Sequence, residues 1–333
     1  MMNANMLLAV DIGNTQTVLG LFDGSELVHT WRLASEVGRT SDELRVTILQ
    51  LFEEAVRNQQ AEELAQAPVP IPRPGEVDPI PQIEVDRVVI ASVVPALTFV
   101  WKELARSLTA VTTIQNTVSG DAYYGVQTVI EVAPEPPLIV SAQSAEELTA
   151  HLQNPAEVGA DRIANAVAAK ALYGAPAIVL DFGTATNIDV IDNAGRYLGG
   201  IISAGVQTSA DALFQTAARL PVMDLKVPPQ VLGTTTKTAV QSGILHGEVA
   251  KIGGLLYRLQ LEQPNLADAN VPIIATGGMA PLIAPMISQV THHDEHLTLK
   301  GLQIIASTLS DQTTDTTNAG TNAATGGARP CVT

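Results

Sequence analysis

The stretch that decides the fold is LLAVDIGNTQTVLGLFDG, residues 7–24. An apolar run ends at Asp11, short amide and hydroxyl side chains follow a glycine, and a second apolar run ends at the Asp23-Gly24 turn. Two apolar runs separated by turn residues predict a β-hairpin. Its first strand would end in a carboxylate, and its glycine-containing turn would offer backbone amides and hydroxyls to a single point.

A second stretch with the same design, AIVLDFGTATNIDVIDNAG, occupies residues 177–195. Asp181, Gly183 and Thr184 follow its first apolar run, and Asp181 lies 170 residues after Asp11. One Asp-x-Gly at a strand end is usually only a turn, because both residues are common in turns. Two copies, however, resemble the paired hairpins with which actin-like and sugar-kinase-like ATPases hold a nucleotide. We therefore predict an α/β protein of two related, ribonuclease H-like (actin-like ATPase) domains, with mixed sheets flanked by helices and ATP in the inter-domain cleft.

Composition narrows the classes of function. The 333 residues include 18 Lys and Arg against 34 Asp and Glu, a net charge of −16, which disfavours nucleic-acid binding because such proteins neutralise phosphates with clustered basic residues. The single cysteine, Cys331, permits neither an internal disulfide nor a cysteine metal site. No apolar stretch is long enough to span a bilayer. We expect a cytoplasmic protein without nucleic-acid or membrane partners.

Two segments differ in composition from a folded core. Six prolines fall within residues 68–81, which disfavours helix and central strand and predicts an exposed insertion at about residues 66–82. Large apolar residues become scarce near the C-terminus, so we expect a disordered tail at residues 309–333. What remains divides into an N-terminal half, residues 1–150, and a C-terminal half, residues 151–308.

Between the hairpins, NPAEVGADRIANAVAAKALYG (residues 154–174) places Asp161 and Arg162 at the start of an amphipathic helix. In one interpretation Asp161 caps the helix and Arg162 is a solvated charge. In the other, Asp161 is a general base, because a helix N-terminus favours an ionised carboxylate and a kinase needs such a group beside the acceptor hydroxyl. Arg162 would then bind a carboxylate or phosphate with two hydrogen bonds. The residues alone leave both interpretations open.

Two further motifs each allow two interpretations. ATGG, residues 275–278, follows an apolar strand; its adjacent glycines would let a flat ring approach the backbone, or they mark an ordinary strand-to-helix turn. The histidine-rich segment at residues 292–296 suggests a metal site, but a solvated polar turn is the favoured interpretation. No Gly-x-x-x-x-Gly-Lys-[Ser/Thr] loop occurs, which leaves the paired hairpins as the phosphate site.

With these motifs in place, the chain resembles the type III pantothenate kinases, a family of the actin-like, acetate and sugar kinase superfamily. The resemblance runs from Asn5 to about Thr308 and rests on six motifs in the family's order: DIGNTQTV from Asp11, ASVVP from Ala91, NPAEVGADR from Asn154, DFGTAT from Asp181, the GGII to LFQTAARLP run from Gly199, and ATGG from Ala275. It implies ATP-dependent phosphorylation of pantothenate to 4'-phosphopantothenate, the first step of coenzyme A biosynthesis, by a cytoplasmic homodimer.

The resemblance also implies roles for individual residues. Asp161 would accept the proton of pantothenate's primary hydroxyl, Asp181 would bind a monovalent cation (K⁺ or NH₄⁺), and Asp11 would lie nearest the Mg²⁺ of ATP. The implied ATP contacts are Asp11, Ile12, Gly13, Asn14, Thr15, Gln16, Thr17, Val18 and Thr184. The implied pantothenate contacts are Gly159, Ala160, Asp161, Arg162 and Thr236.

Three positions depart from the family pattern: Asn187 replaces a second Thr, Ala204 replaces a Pro, and Leu152 replaces an aromatic residue. None of them removes a carboxylate on which the chemistry depends. Two rival functions remain. The first is a related kinase that acts on a sugar or on acetate, which the GADR motif disfavours. The second is a non-enzymatic, actin-like nucleotide-binding regulator.

Overall fold

The structure of the protein is a computed structural model, which describes residues 6–66, 83–109, 112–117, 126–131, 136–217, 220 and 222–321. Apart from Gln66, the predicted insertion at about residues 66–82 lies outside the described residues. The strands are β1 (Met6–Ile12), β2 (Gln16–Asp23), β3 (Glu26–Ala34), β4 (Arg87–Ser92), β5 (Thr112–Thr117), β6 (Val126–Glu131), β7 (Leu138–Ile139), β8 (Ala177–Phe182), β9 (Ala185–Ile191), β10 (Tyr197–Ala204), β11 (Ile273–Thr276) and β12 (His292–His293). The α-helices are α1 (Ser41–Gln66), α2 (Pro95–Thr109), α3 (Glu146–Thr149), α4 (Ala160–Tyr173), α5 (Val206–Thr216), α6 (Thr236–Glu262), α7 (Ala280–Ile283) and α8 (Leu297–Thr321).

The two main sheets have the same topology. One has the order β3-β2-β1-β4-β7 and the other the order β10-β9-β8-β11-β12. Strand β1 is antiparallel to β2 and parallel to β4, and β8 is likewise antiparallel to β9 and parallel to β11. Strands β5 and β6 form a separate antiparallel pair. The prediction of two related α/β halves with mixed sheets is therefore confirmed.

Both predicted hairpins are present and have closely matching turns. In the first, Asp11 lies opposite Val18, and Gly13 donates its amide to the Gln16 carbonyl at 3.0 Å. In the second, Asp181 lies opposite Asn187, and the Gly183 amide makes the corresponding 3.0 Å bond to the Ala185 carbonyl. Each carboxylate therefore stands one residue before the end of its strand, beside the turn.

Helices cover both faces of each sheet. One face of the N-terminal sheet packs on α1 and α2, and one face of the C-terminal sheet packs on α5, α6 and α7. The remaining faces pack on α4 and α8, which lie between the sheets. The two helices approach closely where they cross, because a Cβ at Gly301 of α8 would overlap the Ala164 carbonyl of α4.

Helix α1 ends at Gln66, at the start of the segment predicted to be an exposed insertion. Helix α8 runs to Thr321, into the segment at residues 309–333 that is predicted to be a disordered tail. An established helix gains one hydrogen bond for each residue added, which favours its extension into weakly apolar sequence. Residues 322–333 lie outside the described part of the chain. Among the described helices, none combines the length and apolar character needed to cross a membrane.

Candidate active site

Three carboxylates from three elements interact at the junction of the two halves. Asp11 belongs to β1, Asp181 to β8 and Asp161 to the first turn of α4. Burial raises the pKa of Asp11 well above its ordinary value, and the negative charges of Asp161 and Asp181 raise it further. Burial likewise raises the pKa of Asp181 to about 7, and Asp161 and Asp189 add to that effect. This mutual repulsion would be relieved by a cation or by proton uptake.

The capping interpretation of Asp161 is wrong, because the N-cap of α4 is Gly159 and Asp161 is the second helical residue. A Cβ at position 159 would overlap Asp161 Oδ1, so a larger residue there would displace the carboxylate. Oδ1 is buried and has no hydrogen-bond partner among the described residues. Burial raises the pKa of Asp161, although the backbone and charge of Arg162 act in the opposite direction. An unpartnered carboxylate oxygen is costly in a protein interior and is suited to accept a substrate proton.

Arg162 is not a solvated charge. Its Nε donates to Asp189 Oδ1 at 2.8 Å, and its Nη2 lies 2.7 Å from the same oxygen. The Tyr197 hydroxyl donates to that oxygen at 2.7 Å. Burial acts to lower the pKa of Arg162, but the charge and hydrogen bond of Asp189 outweigh it and raise the pKa. Arg162 Nε is therefore engaged, whereas Nη2 lies close to the same oxygen without an aligned hydrogen bond.

Asn165 connects α4 to the second hairpin. It is fully buried, one helical turn after Asp161, and its Nδ2 donates to Asp181 Oδ2 at 3.2 Å. The Thr298 hydroxyl of α8 donates to Asn165 Oδ1 at 2.8 Å. Because Thr298 occupies the amide oxygen, the amide nitrogen must face Asp181. This bond acts to lower the pKa of Asp181 against the larger effect of burial.

The turns of the two hairpins meet. The hydroxyls of Thr15 and Thr184 are 3.0 Å apart, and both residues are exposed. The Thr208 hydroxyl donates to the Thr184 carbonyl at 2.6 Å, which anchors the second turn to the start of α5. The hydroxyls and amides expected to surround phosphates therefore converge from both halves.

The ATGG motif packs directly against the second hairpin. Gly277 has a φ of 90°, and a Cβ there would lie 2.5 Å from Asp181 Oδ1. The Met279 amide also donates to the Phe182 carbonyl at 3.0 Å. The glycine is thus needed for close approach to Asp181. This requirement accounts for the motif without an approaching ring.

The remaining predicted residues are distributed as follows. Ile12, Thr17 and Ala160 are buried, Gly13, Val18 and Gly159 are partly buried, and Asn14, Gln16 and Thr236 are exposed. Thr236 is the first residue of α6, whose N-cap is Thr235. Among the described residues, no hydrogen bond or ion pair joins Thr236 to Asp161, Arg162 or Thr184. The structure therefore brings the hairpins and α4 together but does not link Thr236 to them.

The three departures occupy different environments. Asn187 is buried opposite Asp181 on the neighbouring strand. Ala204 ends β10, where its carbonyl accepts from Lys251 Nζ at 3.3 Å. Leu152 is partly buried and packs against an apolar cluster that includes residues of α4 and β8. Only Asn187 adjoins one of the three carboxylates.

The histidine-rich segment has a structural role. Asp294 accepts from Lys300 Nζ at 2.9 and 2.8 Å and from the Tyr173 hydroxyl at 2.9 Å. Burial acts to raise the pKa of Asp294, but these donors lower it overall. Within the described ranges, no group of three or more His, Cys, Asp or Glu side chains is placed to hold a metal ion.

Sequence reasoning missed the residues that hold the site. Asp189 had a signal, since a charged residue between Ile188 and Val190 is unexpected in an apolar strand. Asn165 had a weaker one, because it lies four residues after Asp161 and therefore on the same helix face. Thr298 had none, because it meets Asn165 from 133 residues away.

Comparison with known proteins identifies the family of the chain. A family model described as type III pantothenate kinase matches residues 7–131 and 112–258. Type III pantothenate kinases of Exiguobacterium sp. and Moorella thermoacetica are each 37% identical over 300 residues, covering 90% of this chain and 98% of the relative.

Among solved structures, MreB 5 of Spiroplasma citri bound to AMPPNP matches with a TM-score of 0.46 and 11% identity, covering 94% of this chain and 99% of that one. A ROK hexokinase from Thermus thermophilus matches with a TM-score of 0.44 and 12% identity, covering 92% and 99%. Similarities this distant carry no argument about function. The family model and the curated relatives, by contrast, span most of the chain, and the chain belongs to the type III pantothenate kinase family.

Proposed function

We propose that this protein transfers the γ-phosphoryl group of ATP to the primary hydroxyl of pantothenate, which yields 4'-phosphopantothenate and ADP and begins coenzyme A biosynthesis. Family membership supports the substrates. The observation that carries the chemistry is the buried, unpartnered Oδ1 of Asp161 beside two hairpins whose turns meet.

Asp161 would take the proton from the pantothenate hydroxyl. The hydroxyl oxygen then forms a bond to the γ-phosphorus, while the bond from that phosphorus to the bridging oxygen breaks and its electron pair leaves with ADP. A pKa raised by burial makes the Asp161 carboxylate a stronger base than an exposed aspartate. Gly159, Ala160 and Arg162 would line the pantothenate pocket, with Thr236 as a further contact.

The first hairpin would bind ATP through residues 11–18, and Thr184 would contact it from the second hairpin. Amides and hydroxyls in such turns suit phosphate oxygens. Mg²⁺, bound with ATP nearest Asp11, would neutralise charge on the phosphates. Asp181 would hold K⁺ or NH₄⁺. The donor chemistry fits, because the partly buried carboxylates of Asp11, Asp161 and Asp181 repel one another and a cation would relieve that repulsion. No three of the described His, Cys, Asp and Glu side chains are placed to hold a metal by themselves, so the other ligands would be phosphate and water oxygens.

We also propose that the protein is a cytoplasmic homodimer. Leu198 and Ile202 are exposed on the edge strand β10, and Leu213 is exposed on the adjacent α5. Val231 and Leu232 are 69% and 80% exposed in the segment before α6. Exposed apolar side chains and an edge strand favour association with a second copy.

The test is ADP formation by the purified full chain with Mg²⁺-ATP and one acceptor at a time. Pantothenate should support turnover, and it should do so strongly in K⁺ or NH₄⁺ and weakly in Na⁺ at equal ionic strength. Turnover with glucose or acetate but not with pantothenate would identify the related kinase instead. ATP binding without turnover of any acceptor would favour the nucleotide-binding regulator. Equal rates in K⁺ and Na⁺ would contradict the proposed role of Asp181 as a ligand of the monovalent cation and would leave the kinase activity itself unaffected.

A further inference from the structure

We propose that Asp189 and Tyr197 are positioning residues that fix the Arg162 guanidinium, so that its remaining N–H groups face an anionic part of the acceptor substrate, its carboxylate. The inference rests on the proposed function and extends it by naming how the acceptor's charged end is held. Neither Asp189 nor Tyr197 needs to touch the substrate.

The first support is the convergence of donors on one oxygen. Asp189 Oδ1 receives Arg162 Nε at 2.8 Å and the Tyr197 hydroxyl at 2.7 Å, while Arg162 Nη2 lies 2.7 Å away. Asp189 is fully buried and the Arg162 side chain is only 13% exposed. A buried ion pair with this hydrogen bonding has a fixed geometry, because breaking it would leave an uncompensated charge in the interior.

The second support is the space left for the guanidinium. A Cβ at Gly200 of β10 would overlap both Arg162 Nη2 and the Ile188 carbonyl. The Tyr197 ring lies on another side, with its centroid 5.8 Å from Arg162 Cζ. Strands β9 and β10 thus form a cradle, defined by Asp189, Tyr197 and Gly200, that fits a planar guanidinium.

The third support is the set of polar atoms that the cradle leaves unsatisfied. Within the described part of the chain, Arg162 Nη2, although close to Asp189 Oδ1, makes no aligned hydrogen bond, and Asp189 Oδ2 and Asp161 Oδ1 also lack a partner. A buried donor beside a buried acceptor, both unpartnered, is suited to a ligand with both kinds of group. Pantothenate has such groups, a carboxylate and a primary hydroxyl. A carboxylate also matches the donor geometry of arginine.

The experiment is a double-mutant cycle on the full-length enzyme. D189N, Y197F and R162Q are made singly, and D189N and Y197F are each combined with R162Q. For every variant, kcat and KM are measured for pantothenate and for ATP, and the pantothenate Kd is measured by calorimetry so that inactive variants also yield a value. Asp192→Asn is the matched control, because Asp192 lies close in sequence and pairs with Arg196 near the surface.

We expect D189N to lower kcat/KM for pantothenate by about tenfold or more, and Y197F by about threefold, with the larger change in KM and Kd and with the KM for ATP unchanged. In the R162Q background, both changes should cost less than about twofold, because the group they position is gone. Asp192→Asn should leave all constants within about twofold of the wild type.

Equal losses in the wild-type and R162Q backgrounds would overturn the proposal, since they would mean that Asp189 and Tyr197 act independently of Arg162. Unchanged pantothenate Kd in both D189N and Y197F would also overturn it. If D189N does not fold, the cycle with Y197F tests the proposal by itself, because the Y197F substitution removes a single hydroxyl and retains the ring. If the wild type itself fails to phosphorylate pantothenate, the proposed function fails before the cycle begins.

Discussion

The two halves differ at one equivalent position of their second strands. In the first hairpin, Gly20 lies two residues beyond Val18, the partner of Asp11; in the second, Asp189 lies two residues beyond Asn187, the partner of Asp181. Gly20 faces α8, because a Cβ at this position would lie 2.9 Å from Leu299 Cδ1. At the equivalent position of the C-terminal sheet, Asp189 forms an ion pair with Arg162 of α4.

This contrast shows how one scaffold acquires a reactive site. Because α4 and α8 cross at Ala164 and Gly301, the residue two positions before the crossing contacts a sheet in each case: Leu299 meets the N-terminal sheet and Arg162 meets the C-terminal sheet. At α8 the contact is apolar and contributes packing. At α4 the equivalent position is Arg162, and Asp161 precedes it. The proposed chemistry therefore lies where α4 meets the C-terminal sheet, while the N-terminal counterpart is an apolar contact.

The largest expected effect comes from removing the charge of Asp161. Asp161→Asn keeps the shape of the side chain but cannot accept a proton, so kcat should fall by about 10²–10⁴. ATP affinity should stay within about twofold of the wild type, because the hairpin turns are intact. Steady-state kinetics and nucleotide titration check both values. Near-normal turnover would show that α4 carries no proton acceptor.

The second effect is a dependence of stability on pH that originates at Asp181. Its pKa is about 7 in the folded protein against an ordinary value of 3.8, so the folded state binds the proton more tightly than the unfolded state. Its stabilising contribution is present below the unfolded pKa and is lost as pH rises through about 7.

Asp181→Asn should therefore raise the free energy of unfolding at pH 8 by about 2–4 kcal/mol in the ligand-free protein, and change it little at pH 4. Urea unfolding with linear extrapolation provides the measurement at each pH. Asp192→Asn is the control, because the pKa of Asp192 is lowered by its Arg196 partner and the difference at pH 8 should have the opposite sign. A stability difference for Asp181→Asn that does not vary with pH would contradict this account.

A third, smaller effect tests the helix crossing. Gly301→Ala should lower the free energy of unfolding by about 1–3 kcal/mol, because its Cβ would meet the backbone of Ala164, which cannot move as a flexible side chain can. Gly247→Ala in α6 is the matched control, since a Cβ there would meet nothing within 4 Å beyond its chain neighbours and the backbone of its own helix. It should stabilise the protein by about 0.5–1 kcal/mol. If denaturant unfolding ranks the two variants in the opposite order, the inference that α4 and α8 approach closely at Gly301 is wrong.

The smallest effect concerns the orientation of Asn165. Thr298→Val removes the hydroxyl that fixes the amide, so the K⁺ concentration for half-maximal activity should rise by about three- to tenfold. Thr298→Ser should restore the wild-type value. Thr308→Val is the control on the same helix, because the hydroxyl of Thr308 bonds locally to the Ile304 carbonyl at 2.9 Å. Equal K⁺ dependence in all three variants would contradict a link from α8 to Asp181.

The sequence predicts the elements better than it predicts their mutual contacts. The hairpins could be predicted because apolar runs around Asp11 and Asp181 are local patterns. The partner of Arg162 could not, because Asp189 is 27 residues away and meets it only through the packing of α4 on the C-terminal sheet. The end of α8 could not be predicted either, because the composition after residue 309 resembles that of a disordered chain.

The fate of the γ-phosphoryl group can be followed directly. Wild-type protein is incubated with Mg²⁺, K⁺, pantothenate and ATP labelled in its γ-phosphate, and the products are separated and analysed by mass spectrometry. We predict that the label appears on the primary hydroxyl oxygen of pantothenate, in equal amount to the ADP formed, and that Asp161→Asn slows the transfer by about 10²–10⁴. Label recovered only as inorganic phosphate, or ADP formation independent of pantothenate, would contradict the account.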